Sequence, residues 1–118
     1  MDLRPWDLWA TDGTPRPETP EILAVLEHAM ALQPNHPGAN HLYIHAVEAS
    51  TTPARAEAAA DRLLKLMPGA GHIVHMPSHI YYRVGRYADA RKSNVSAVAA
   101  DEAFFKAANS AGLYPMFY

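Results

Sequence analysis

Four histidines fall into two pairs, His41/His45 and His75/His79, and the second pair repeats the first after 34 residues. The members of each pair are four residues apart, so on an α-helix they project from one face. A period of 34 residues is the length of a helix–turn–helix repeat. The chain is thereby restricted to stacked helical hairpins that present equivalent positions of successive units along one surface. No segment alternates apolar and polar residues with period two, which leaves an all-α fold.

Proline and glycine mark out the segments. Pro5, Pro15, Pro17 and the Asp12-Gly13 turn make residues 1–19 a proline-rich arm with little regular structure. Its Trp6 and Trp9 are too apolar to remain in water and are expected to pack on the first helix. Thr19-Pro20-Glu21 reads as the N-cap, first-turn proline and first-turn acid of a helix over 20–33, with an apolar stripe of Ile22, Leu23, Leu26, Ala29, Met30 and Leu32. Pro34 and the turn Asn35-His36-Pro37-Gly38 end it. Helices are then predicted over 39–49, 53–66, 72–84 and 87–108, with Pro53, Pro68-Gly69, Gly85-Arg86 and Gly112 as breaks. The hairpins cover about 37–70 and 71–104. Residues 20–118 form one helical domain that closes on an apolar tail, 112–118. Leu113, Tyr114, Met116, Phe117 and Tyr118 are too apolar to end in water, and suggest a flanking segment or a homodimer.

Charge and composition exclude several classes. The net charge is −2, too small for a strong nucleic-acid or anionic-membrane field. Acids dominate up to Gln33 and bases dominate from Arg55 to Lys92, as on solvated helix faces. The absence of cysteine removes disulfides, thiolate catalysis and cysteine-ligated zinc. No run of about 18 apolar residues could span a membrane. Met1-Asp2-Leu3-Arg4-Pro5-Trp6 has no signal-peptide core, so a cytoplasmic setting is the default expectation.

The second hairpin resembles the tetratricopeptide repeat. Tyr81, Gly85, Tyr87, Ala90, Ala97 and the Asp101-Glu102 end follow that family's aromatic, glycine, tyrosine, alanine and helix-end spacing, and Ser78 fills its small-residue site. In the first hairpin Ala56 and Pro68 fit, whereas Thr51 stands where Gly85 stands one repeat later. The 20–33 helix resembles the second half of a preceding repeat, with Ala29 at the close-packing site. The resemblance covers roughly residues 20–102. It implies about two repeats plus a half repeat in a right-handed superhelical solenoid, with Ala56 and Ala90 letting helices approach and Tyr81 and Tyr87 filling gaps between hairpins. The strings HPGANHLYIHAVEAS and PGAGHIVHMPSHIYYRVGRYADA are similar to a little-characterised group of longer bacterial tetratricopeptide-repeat proteins. Those proteins continue on both sides, so this chain is expected to be a fragment or a unit that pairs with a second copy.

By the same resemblance, the first helix of each hairpin lines a concave groove, and His41, His45, His75 and His79 face it. Glu48 follows His45 by one turn and His72 precedes His75 by one turn. Packed helices lie about 8–10 Å apart, within reach of shared coordination. Histidines with one carboxylate suit zinc, copper(II), nickel or non-haem iron better than calcium or magnesium, and six ligands would accommodate two ions. The candidate metal ligands are His41, His45, His72, His75, His79 and Glu48. Two alternatives stand beside metal binding. One is a metal-free scaffold that binds a peptide or protein through Asn40, His41, His45, Glu48 and His79. The other is a metal-dependent hydrolase with Glu48 as general base.

Pro77 complicates the second pair, because a proline inside a helix removes the bond to the carbonyl of Ile73. His28 is read as surface and His36 as an exposed turn residue. Tyr43, Tyr81 and Tyr82 are read as packing, and Asn94-Val95-Ser96 as a mid-helix match to the glycosylation pattern. There is no phosphate loop, HExxH or GxSxG motif, and no organic cofactor is implied. A binding protein is therefore favoured over an enzyme.

Overall fold

In the computed structural model, residues 7–109 are described. They fold as helices α1 (Thr19–Leu32), α2 (Pro37–Glu48), α3 (Glu57–Leu66), α4 (Gly71–His75), α5 (Pro77–Arg83) and α6 (Tyr87–Asn109), with a single 3-10 turn, Pro53–Ala56, leading into α3. The expectations for Trp6 and for the apolar tail fall outside the described residues. Among the described residues the extended structure is one isolated bridge, Trp9 to Pro15. No helix among them is long and apolar enough to cross a membrane.

Prolines open the elements as their geometry favours: α1, α2, the 3-10 turn and α5 each carry proline in the first two positions, where the missing N–H costs nothing. Thr19 is not the N-cap of α1, however. Glu18 holds that position, and the buried Thr19 hydroxyl donates to the carbonyl of Leu8. The Leu8 carbonyl also accepts the Arg16 N–H at 2.9 Å, so the arm and the start of α1 are tied together there, and the hydroxyl is taken from its capping role. The arm also reaches further than expected. While Trp9 lines a cleft with Pro20, Leu23 and Ala24 of α1, its Nε1 donates to the carbonyl of Ala46 on α2 at 2.7 Å. That oxygen lies in the last turn of α2, where carbonyls lack helical partners.

Each helix packs on its successor, and α2 also touches α5. The core is built from one stripe of each element: Leu23 and Leu26, then Tyr43, Ile44 and Val47, then Ala59, Ala60 and Leu63, then Met76, Ile80 and Tyr81. Ile44, Leu63 and Ile80 are fully enclosed, each contributing roughly 1.5–3 kcal/mol by burial. Ala56 and Ala90 are buried. Tyr87 does not fill a gap. It is exposed, with its ring edge-on to Tyr82 at 5.5 Å. Gly85 turns the chain between α5 and α6 at φ +86°, a conformation costly for any side chain.

The predicted 72–84 helix is two helices. Pro77 has no N–H, and α4 gives way to α5 at Met76. The bond from the Met76 N–H to the His72 carbonyl, 3.1 Å, keeps the two pieces continuous enough for His72, His75 and His79 to share a face.

A candidate metal centre on paired helices

His36 opens α2. Its Nδ1 accepts the Ala39 N–H at 3.1 Å, so this exposed turn histidine is the helix cap. The core stripe of α2 then leaves His41, His45 and Glu48 together on the opposite side, at i, i+4 and i+7. On α4 and α5 the same spacing logic gathers His72, His75 and His79 at i, i+3 and i+7. The two triplets lie side by side.

Their register differs from the sequence repeat. The closest cross-helix contacts join residues 31 apart: His41 Nε2 to His72 Nε2 at 3.2 Å, and Glu48 Oε2 to His79 Nδ1 at 3.3 Å. Repeat-equivalent residues are thus displaced by about one helical turn. His45 sits between, its ring centroid 4.9 Å from His41, 6.4 Å from His72 and 6.3 Å from His79. His75 lies 6.4 Å from His72 and 4.8 Å from His79. All five rings therefore form one continuous patch.

His41, His45 and His72 each offer one ring nitrogen, and the three nitrogens lie within 4.8 Å of one another, so the triad could hold a metal ion. The 3.2 Å edge matches the ligand–ligand separation of about 3.3 Å that tetrahedral coordination at 2.0–2.1 Å implies. His75 and His79 are not part of that group, although the 34-residue register pointed to them as the partners of His41 and His45. The displacement by one turn brings His72 opposite His41 instead.

Electrostatics favour neutral imidazoles. Burial lowers the pKa of His45 to about 4, with His41, His79, His72 and His75 adding to the shift. His41 is lowered by burial and by His72, His72 by burial and by His75, and His79 by burial and then by its histidine neighbours. Neutral rings are the form that binds metal. Burial raises Glu48 above the usual carboxylate range, opposed by the charge of Arg83.

Asn40 serves the fold rather than the patch. It is fully buried, donates to the carbonyls of Pro34 and His36, and accepts from Arg62 Nε at 3.1 Å. His28 is exposed, and Tyr43 and Tyr81 are buried packing residues. Two residues at the site had no assigned role in the sequence. Asn94 Oδ1 meets His75 Nδ1 at 2.6 Å, and Arg83 donates to the carbonyls of Glu48 and Ser50. The signal for Asn94 was its place four residues after Ala90 and three before Ala97, beside the buried stripe of α6. A cleft of about 460 Å³ opens here, lined by Glu48, Ser78, His79, Tyr82, Arg83 and Asn94 among others.

No protein-family model matches the chain, and neither a curated protein nor a solved structure does.

Proposed function

We propose that this is a tetratricopeptide-like helical-repeat protein that binds a divalent transition metal on the shared face of α2 and α4. The observation that carries the reading is the convergence of three ring nitrogens, from His41, His45 and His72, within 4.8 Å. Two elements from different hairpins supply them, so the site belongs to the tertiary structure. Three imidazoles leave a fourth position for water or a ligand, and suit zinc, copper(II), nickel or iron. Sequential packing of α2 on α3 and of α4 and α5 on α6, with α2 against α5, supports the hairpin arrangement that the sequence resemblance implies.

The test is elemental analysis of untagged protein, followed by melting with and without chelator. Stoichiometric metal, and a melting temperature that drops on its removal, are the expected results. Protein that neither retains nor takes up any of the four metals overturns the proposal.

The cleft beside Glu48 and His79 favours a second function on the same face, the binding of a peptide or small ligand. Glu48→Gln that keeps its metal but loses an acid- or base-dependent hydrolytic activity would move this reading to the metal-dependent hydrolase.

A further inference from the structure

The triad occupies one end of the histidine face. At the other end, the orientation of each ring is set by a neighbour behind it. His75 Nδ1 faces Asn94 Oδ1 at 2.6 Å. An amide oxygen only accepts, so His75 Nδ1 carries a proton. His79 Nδ1 faces Glu48 Oε2 at 3.3 Å, and the carboxylate draws the N–H to that nitrogen in the same way. The Nε2 lone pairs of His75 and His79 are then turned toward each other, 3.1 Å apart. Two lone pairs at that distance repel unless a cation is shared between them.

Three features point to a metal as that cation. The 3.1 Å separation is close to the tetrahedral ligand edge of about 3.3 Å. An acceptor behind each ring, one amide and one carboxylate, is the outer support that ligating histidines ordinarily have. Glu48 Oε2 is closed off from solvent and is directed at His79 Nδ1, which fixes that ring. The Arg83 guanidinium bonds backbone carbonyls instead.

We infer that a second divalent transition-metal ion is bound by Nε2 of His75 and Nε2 of His79, with Glu48 and Asn94 orienting the rings. Two protein nitrogens leave this ion open on the cleft side, where water or an oxygen-donor ligand completes its coordination. The site extends the triad proposal but uses none of the triad's ligands, so each can fail alone.

The test uses the untagged chain, stripped of metal, titrated calorimetrically with zinc(II), and desalted for elemental analysis. The wild type is expected to hold two ions per chain. His79→Gln is expected to hold one, and His72→Ala is expected to hold one at the other end. Asn94→Leu is expected to weaken only the second ion, by roughly 10–100-fold, while Asn94→Asp, which still accepts from Nδ1, retains it. Asn94 is exposed, so this pair carries the test even if His79→Gln loses its helical circular dichroism. One ion in the wild type that persists in His79→Gln and disappears in His72→Ala overturns the second site and leaves the triad standing. One ion lost in His79→Gln but kept in His72→Ala supports the second site and overturns the triad. A single ion lost in both variants overturns the division into two sites, and no ion at all overturns both proposals.

Discussion

Two polar faces flank helix α5, and they are completed in opposite ways. On one side Tyr81 donates to Asp61 at 2.6 Å, and Arg86 reaches Asp89 at 2.9 Å, Asp61 at 3.2 Å and Glu57 at 3.5 Å while lying over the Tyr81 ring at 4.3 Å. That face contains its own cation, Arg86, which three carboxylates share. Two residues away, His79 joins a patch made of imidazoles and one carboxylate. Like groups are collected there, and burial opposes protonation of most of them. The one guanidinium beside these imidazoles, Arg83, bonds backbone carbonyls, so the rings form a surface that an external cation could complete. The first face is explained by stability alone; the second is not.

This contrast can be broken experimentally, and the largest effect belongs to the incomplete face. His72→Ala is expected to weaken metal binding at the triad by at least about 100-fold, near 2.7 kcal/mol. Arg86→Ala should leave that affinity unchanged. Parallel metal titrations of the two variants check both outcomes; equal losses would erase the distinction.

Gly71→Ala comes next. A Cβ on Gly71 would lie 2.0 Å from Asp101 Oδ1, so α4 or the carboxylate must move. Denaturant unfolding is expected to show a loss of about 1–3 kcal/mol. Metal affinity should fall as well, because α4 carries His72. A stability loss with intact affinity would mean that Asp101 alone adjusts.

Acid should act mainly through the histidine face. A folded pKa below the unfolded one means that the unfolded chain binds more protons. His45 is held near 4 against an ordinary 6.5, chiefly by burial. The stability of metal-free protein is therefore full above about pH 6.5 and declines as pH falls toward 4. Glu48 has the reverse sign: its raised pKa favours the protonated fold, and that contribution is lost as pH rises above the carboxylate range. Four lowered histidines outweigh one raised acid, so melting temperature should fall between pH 6.5 and 4. A flat profile in the quadruple variant His41→Gln/His45→Gln/His72→Gln/His79→Gln would locate the effect, whereas an unchanged slope would place it elsewhere.

The smallest effect is on the self-sufficient face. Tyr81→Phe removes the hydrogen bond to Asp61 and should cost about 0.5–1.5 kcal/mol in chemical denaturation, with no change in metal content. Any loss of metal would show that the two faces are coupled through α5.

Much of the architecture was legible because Pro20 and Pro53 mark helical first turns. Pro37, read as a turn residue, and Pro77, read inside a helix, also open helices. Membership of the histidine face was legible for a similar reason: 41, 45 and 48, and 72, 75 and 79, follow helical periodicity. The pairing of the two sets was not. How far α2 slides along α4 and α5 is decided by core packing of Ile44, Val47, Met76 and Ile80, which no local spacing encodes. Thus a 34-residue repeat yields contacts between residues 31 apart. Asn40 looked available for binding because a polar residue early in a helix is usually exposed; burial and Arg62 turn it into a brace. Thr19 likewise carries a capping signature, but the Leu8 carbonyl claims its hydroxyl.

The displaced register has a mechanical side. An ion shared by His41 and His72 would join two points of the chain 31 residues apart, one in each hairpin. In the unfolded chain the same bond would close a long loop. On the chain-entropy scale used for disulfides, such a closure corresponds to roughly 4 kcal/mol. In a chain with no cysteine, a coordinated ion at this rung would be a reversible cross-link, fastened by neutral imidazoles and released by acid or chelation.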